Sequence, residues 1–250
     1  MKRAIIIGAT SGIGREVARA LALRGVVVGV AGRRTERLVE LQHEFGEERV
    51  HIAKMDVTAE NAPEQLDELI AKVGAPDLLL YASGIGKQNP ELDTTIELNT
   101  VATNATGMVR LVVHFLNYVK QSHAYDAKHR AHVAVISSVA GTKGMGSAPA
   151  YSATKSMQST YLSALAQYVR MYDVPAVFSD IRPGFVATEI LNPEKRYPML
   201  MTPAEAAKHI LRGLKRKKRV IIFDWKFRLV VAFWRMIPRF LWERMTFVKN

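Results

Sequence analysis

Met1-Lys-Arg-Ala-Ile-Ile-Ile-Gly8-Ala-Thr-Ser-Gly12-Ile-Gly14 runs a short apolar segment straight into a glycine-rich turn. The apolar run is too short for a secretory signal, so it is read as a first strand, Ala4–Ile7. Glycines let the backbone turn sharply and approach a ligand without Cβ clashes. The helix predicted over 12–23 then starts with free N–H groups aimed at an anion, such as a pyrophosphate. The spacing G-x-x-x-G-x-G lacks the G-K-[ST] ending of a phosphate-transfer loop.

Working outward, Val26–Ala31, Val50–Met55, Asp77–Ala82, His132–Ser138, Val174–Ile181 and Val220–Phe223 also read as strands. They are short and rich in Val, Ile and Leu, with little alternation, as strands buried on both faces should be. Helical spacing falls between them at 34–44, 63–73, 103–120, 151–172 and 203–214. Thr202-Pro203-Ala-Glu205 has the form of a helix start, with Thr202 as N-cap and Glu205 closing a capping box. Repeated β-α-β units predict an α/β fold, a doubly wound parallel sheet with helices on both faces. No linker divides the chain. Its 250 residues suffice for one catalytic domain over 1–223, followed by an extension over 224–250.

The second strand ends Ala31-Gly32-Arg33-Arg34. In dinucleotide folds an acid near this point takes a ribose 2′-hydroxyl, whereas arginine accommodates a 2′-phosphate. Two arginines without an acid imply NADP(H) over NAD(H), because the guanidinium fork matches phosphate geometry. Asp56-Val57 follows the third strand, where a carboxylate accepts from an adenine amino group. Ala82-Ser83-Gly84 follows the fourth, where small residues let the backbone border a cofactor.

Tyr151-Ser-Ala-Thr-Lys155 places a phenol and an ammonium on one face of a helix. The ammonium favours the phenolate, which makes Tyr151 an acid/base for a carbonyl or alcohol. Ser138 lies thirteen residues upstream, and in a strand its neighbour Ser137 points to the opposite face. Cysteine is absent, which excludes disulfides, thiolate metal sites and a cysteine nucleophile and fits a reducing cytoplasm. Seven scattered histidines form no ligand cluster, and no metal is expected.

Together these motifs make the chain, over roughly its first 215 residues, resemble the short-chain dehydrogenase/reductases. The elements that carry the resemblance are Gly8-x-x-x-Gly12-x-Gly14, Asp56-Val57, Ser83-Gly84, Asn104-Ala-Thr-Gly107, Ser138, Tyr151-x-x-x-Lys155 and Arg182-Pro183-Gly184 with Thr188. Two positions depart from the family pattern. Ile7 stands where Thr is frequent, and Tyr81-Ala82-Ser83-Gly84 stands where Asn-Asn-Ala-Gly is common. The resemblance implies a Rossmann fold and a ketone reductase, or the reverse oxidation. By the same resemblance, Tyr151 is the general acid or base, and Lys155 lowers the Tyr151 pKa and holds the nicotinamide ribose. Ser138 holds the substrate oxygen, and Asn104 anchors a water that links Lys155 to solvent. The implied cofactor set is Gly8, Thr10, Ser11, Gly12, Ile13, Gly14, Arg33, Arg34, Asp56, Val57, Ala82, Ser83, Gly84, Tyr151, Lys155, Pro183, Gly184, Val186 and Thr188. Residues 185–201 are implied to form a lid, and the helices at 103–120 and 151–172 a homo-oligomer interface. The alternative from another class is an idle dinucleotide-binding scaffold or redox sensor, against which the full set Ser138, Tyr151, Lys155 and Asn104 argues.

The formal net charge of +12 is concentrated in the tail. Residues 215–250 hold eleven Lys/Arg against two Asp/Glu, while residues 1–214 hold 24 against 21. All three tryptophans, Trp225, Trp234 and Trp242, lie in the tail. Arg228, Arg235 and Arg239 share a stripe beside a broad apolar arc of Leu229, Val230, Phe233, Trp234, Ile237, Phe240 and Leu241. Charges interrupt every apolar run well short of the ~20 residues of a membrane span, and Pro238 should kink or split the segment. Three arrangements suit it: docking on a membrane, contact with another subunit, or a cover over the chain's own pocket. The surplus charge favours the membrane. The expected protein is therefore a peripheral membrane reductase of a lipid-like ketone such as a 3-keto-sphingoid base. No nucleic-acid partner is expected, because no recognition motif accompanies the basic run.

Overall fold

The computed structural model describes residues 1–191, 194 and 196–246. Residues 192, 193 and 195 of the expected lid and 247–250 of the tail lie outside the described residues. Seven strands, β1 (Arg3–Ile7), β2 (Val27–Gly32), β3 (Val50–Lys54), β4 (Leu78–Tyr81), β5 (Ala131–Ile136), β6 (Ala176–Ile181) and β7 (Val220–Ile221), form one sheet in the order β3-β2-β1-β4-β5-β6-β7. Every pairing is parallel. Parallel strands need crossovers, and the helices supply them on both faces. One apolar cluster joins the sheet to α3 (Ala62–Val73), α5 (Gly107–Gln121) and α6 (Pro149–Met171). The other joins it to α1 (Gly12–Ala22), α2 (Thr35–Phe45) and α7 (Pro203–Lys215), the last started by the Thr202–Glu205 capping box.

Strand order reverses between β1 and β4, which opens a crevice at the carboxyl ends of the strands. The register keeps those ends level, because Ile7 pairs with both Ala31 and Tyr81, and Tyr81 pairs with Val135. The residues that follow, Gly8, Gly32, Ala82 and Ser137-Ser138, therefore share one edge of the sheet.

The helix expected over 103–120 is longer than its apolar spacing indicates. It begins as α4 (Thr94–Val101), passes through a π-helical turn over Ala102–Thr106, and continues as α5. Asp93 starts it by accepting from Thr95 N at 2.8 Å. Thr94, Thr95 and Ile96 are β-branched residues with weak helix propensity, which hides this start from a periodicity reading. The strand expected over Val220–Phe223 is ordered as strand only over its first two residues.

The tail forms α8 (Trp225–Met236), capped by the Asp224 carboxylate on Lys226 N, and a short α9 (Arg239–Trp242) beyond Pro238. Among the described residues no helix is long and apolar enough to cross a membrane.

Candidate active site

The turn after β1 is held by its neighbours on both sides. Gly8 N and Ala9 N donate to Ala31 O, at 2.8 and 3.1 Å. Gly8 has φ +92°, and a Cβ there would fall 2.5 Å from Ser83 N, so only glycine lets β1 and β4 close up. Ser11 precedes α1 without forming a side-chain cap. Among the described residues the amides of Gly12, Ile13 and Gly14 have no backbone acceptor, and the first partnered amide is Arg15 N on Ser11 O. These free donors, at a helix start on the crevice, fit the pyrophosphate of a dinucleotide. Ala82 N bonds to Ile7 O at 2.7 Å, which sets Ala82-Ser83-Gly84 along the same crevice.

Arg34 and Arg33 part company at the end of β2. Arg34 reaches Thr10 Oγ1 at 3.1 Å and Ser11 Oγ at 2.7 Å, and binds both oxygens of Glu189 at 3.0 and 2.9 Å. Arg33 is exposed and acts on Asp56. Burial pushes the Asp56 carboxyl up, but hydrogen bonds from Thr58 and the Arg33 charge outweigh it, so Asp56 sits below the ordinary carboxylate range. Val57 is buried against Gly107. Glu189 was missed in the sequence. It follows Thr188, whose methyl lies beside Gly12, and it bridges the segment after β6 to the glycine turn.

Asn104 sits in the π turn, fully buried. Its amide nitrogen donates to Ile85 O at 2.8 Å and Thr154 Oγ1 at 3.1 Å, and its oxygen accepts from Ile85 N at 2.9 Å. A π turn leaves carbonyls outside the i−4 ladder, and such turns recur at functional sites. Tyr81, one of the departures from the family pattern, donates its hydroxyl to Thr103 O at 2.7 Å and so ties β4 to this turn.

Tyr151 and Lys155 lie one turn apart near the start of α6, which Pro149 opens. The Lys155 ammonium donates to Ile136 O at 2.8 Å and to Gln158 Oε1 at 3.2 Å. Gln158 Nε2 donates in turn to Asn104 O at 2.7 Å. Gln158 is fully buried, and its amide takes the Asn104 carbonyl directly. It too was missed, although 151, 155 and 158 follow i, i+4, i+7 spacing along one helix face. Lys155 stands over the Tyr151 ring, 5.7 Å from its centroid. Burial raises the Tyr151 phenol above its ordinary value, with Ser138 pulling the other way, and burial brings Lys155 down to about 7. Lys155, expected from the spacing to lower Tyr151, bonds through its ammonium to Ile136 and Gln158 and is not among the groups that shift Tyr151; desolvation sets the direction.

Ser138 caps a short 3₁₀ turn, Val139–Thr142, by accepting from Ala140 N at 3.1 Å. Ser137 points to the other face, where it bonds to Asp180 and to Ile181 O. Pro183 O accepts from Val139 N at 3.0 Å, and Val186 is buried beside Met201, with which it forms a bridge. Gly184 lies against the Phe227 ring. The tail therefore reaches the site. Phe227 and Val231 pack with Val139, Phe185 and Met199. Lys143 Nζ donates to Ile237 O at 2.8 Å, and Trp242 Nε1 donates to Gly144 O at 2.7 Å. This splits the single apolar arc expected of the tail: Ile237 is buried and Trp234 half-buried, while Leu229, Phe233, Phe240 and Leu241 face outward.

A family model described as short chain dehydrogenase matches residues 2–197. An uncharacterized oxidoreductase of Myxococcus xanthus is 30% identical over 249 residues, covering 97% of this chain and 95% of that protein. A short chain dehydrogenase/reductase from Burkholderia phymatum, solved in complex with NAD, superposes with TM-score 0.80 at 19% identity, covering 92% of each chain. An alcohol dehydrogenase from Thermococcus sibiricus, complexed with 5-hydroxy-NADP, gives TM-score 0.73 at 26% identity over 89% of this chain and 95% of that one. With a family match across most of its length, a sheet that reverses at β1/β4 and a glycine turn with free helix-start amides at that point, this chain belongs to the short chain dehydrogenase family and is an NAD(P)-binding oxidoreductase.

Proposed function

We propose that the protein is an NADP(H)-dependent reductase of an apolar, lipid-like ketone, acting on the CH–OH/C=O couple. The observation that carries the reading is the meeting of Tyr151, Lys155 and Ser138 with Asn104 at the crevice edge, linked through Gln158. A dinucleotide held in the crevice would supply the hydride, or accept it in the reverse direction. Tyr151 delivers the proton to the substrate oxygen, and Ser138 holds that oxygen in place. Groups already aimed at an oxygen that gains negative charge stabilise the transition state more than the ground state. Lys155, with a pKa brought down to about 7, gains or loses a proton near neutrality. The chain Lys155–Gln158–Asn104 holds the ammonium in place, where it would meet the ribose of a bound cofactor.

Arg34, held beside the Thr10 and Ser11 hydroxyls, would turn its guanidinium from Glu189 to a 2′-phosphate, and this set favours NADP(H). The alcohol dehydrogenase of Thermococcus sibiricus, a relative at 26% identity, was solved with an NADP derivative. Phe185, Met199, Phe227 and Val139 border the catalytic edge with apolar surface, which suits a greasy substrate. In this reading residues 1–223 carry the reaction and the extension 224–250 works at a membrane surface. In the same reading the chain self-associates through the α4–α5 and α6 helices, which is supported by the exposure of Leu98, Val101, Tyr168 and Met171 and of Tyr172 just beyond α6.

Replacing Tyr151 by Phe tests the mechanism. NADPH binding should persist while turnover of ketones of graded chain length falls ~10²–10⁴-fold. Full-rate turnover by the variant would reject the role of Tyr151.

A further inference from the structure

We propose that the outward face of α8, continued by Phe240 of α9, is a docking surface for an anionic lipid bilayer. The proposal rests on the reading of the site as one for a lipid-like ketone and assigns the surface from which that substrate arrives.

A helix that buries one face normally shows water a polar one. α8 does not. Phe227 and Val231 are buried against the 3₁₀ turn and the segment after β6. At about 100° per residue, Trp225, Leu229, Phe233 and Met236 fall within one arc roughly opposite that buried side. They are 66, 59, 64 and 80% exposed. Contiguous large apolar side chains left in water on an ordered helix mark an interaction surface. Arg228 and Arg235 flank this arc on one side and Lys226 on the other, and Arg239 and Arg244 follow; all five are exposed.

The charge decides the occupant. A second copy of the chain meeting this face through a two-fold axis would set arginine against arginine. The two carboxylates of the tail are already engaged, since Glu243 is paired with Arg239 and Asp224 caps α8. An anionic bilayer meets both needs at once: the aromatic and aliphatic side chains enter the headgroup boundary, and the flanking cations meet the lipid charge. The geometry also links surface to chemistry. A helix with its side chains is about 10 Å across. The opposite side of α8 touches Val139, next to Ser138, and Gly184, in the turn after β6. One helix thickness therefore separates the lipid from the catalytic edge.

The test is co-sedimentation of the full chain with vesicles of phosphatidylcholine alone and with added phosphatidylglycerol. Phe233→Ser with Met236→Ser, and separately Arg228→Glu with Arg235→Glu, alter only exposed side chains, and circular dichroism verifies their folding. Wild type should sediment with the phosphatidylglycerol vesicles and release in high salt. The serine pair should weaken partitioning about tenfold or more. The charge reversal should cost about 25-fold or more, since each basic group near the surface is worth roughly fivefold. The proposal is overturned if wild type stays in the supernatant with both vesicles, or if both variants partition like wild type. It is also overturned if the serine pair converts a dimer to a monomer in gel filtration without changing vesicle partitioning, which would give the face to a second copy. Reduction of a short, water-soluble ketone by the same samples reports on the catalytic reading separately. Lost sedimentation with intact reduction removes only the docking surface, and the opposite result removes only the reductase.

Discussion

Replacing Lys155 by Met should change how stability depends on pH. The ammonium is buried, and desolvation brings its pKa from 10.5 down to about 7, against a smaller opposing pull from Asp180. The drop corresponds to about 5 kcal/mol of penalty on the charged form. The folded pKa lies below the unfolded one, so between about pH 7 and the unfolded value of 10.5 the unfolded chain binds more protons. Stability then rises with pH by about 1.4 kcal/mol per unit from this one group. Below about pH 7 both states are protonated and the full penalty applies. Methionine has a similar length and no charge, so it removes the slope. It also strands the Ile136 carbonyl and Gln158 Oε1, at about 1–3 kcal/mol each, but that loss does not depend on pH. Urea unfolding of wild type and variant at several pH values on either side of neutrality isolates the effect. The advantage of the variant should be largest at acid pH and shrink steadily as pH rises. A difference that stays flat through this range, or grows with pH, would mean that the buried ammonium keeps its charge, and would refute the reasoning. The same variant should lose turnover even where it gains stability.

Two further substitutions probe the cofactor end and the tail. Glu189→Gln removes the carboxylate that holds Arg34, on a pair whose members are 40 and 60% exposed, so the effect should be small. Fluorescence titration should show NADPH binding about two- to fivefold tighter and NADH unchanged; equal shifts for both nucleotides would separate Arg34 from the 2′-phosphate. In Gly184→Ala the new methyl overlaps the Phe227 ring, which must shift within the contact that seats α8. Overpacking of this kind costs about 1–3 kcal/mol. A thermal scan should show Tm lower by about 2–10 °C, with faster tryptic cleavage at Lys226 or Arg228; unchanged Tm and cleavage would mean that α8 is not seated there.

The sheet was legible because its strands are short apolar runs punctuated by glycine turns, and parallel strands buried on both faces leave little else to read. The crevice was legible because Gly8, Asp56, Ser83, Ser138 and Pro183 each follow a strand, and a level register carries them all to one edge. What escaped was side-chain traffic between distant segments. No spacing rule connects Arg34 with Glu189, 155 residues apart. Gln158 was within reach of the helical period but polar, so an apolar pattern passed over it. The helix start at Asp93 lay under β-branched residues. Tyr151 shows a different limit. The spacing places Lys155 beside it, whereas burial, which sequence does not display, decides the direction of its pKa. In the tail a wheel drawn from the sequence shows one apolar arc. Only the packing of Phe227 and Val231 reveals two opposed faces.

The central claim is hydride transfer to a ketone with Tyr151 as the proton donor. NADPH carrying deuterium on its nicotinamide, incubated with ketones of graded chain length, tests it by mass spectrometry of the products. The account predicts deuterium on the carbinol carbon with wild type, more with longer chains, and almost none with Tyr151→Phe although that variant still binds NADPH. Absence of label with every ketone under conditions where wild type binds NADPH, or equal labelling by Tyr151→Phe, would contradict it.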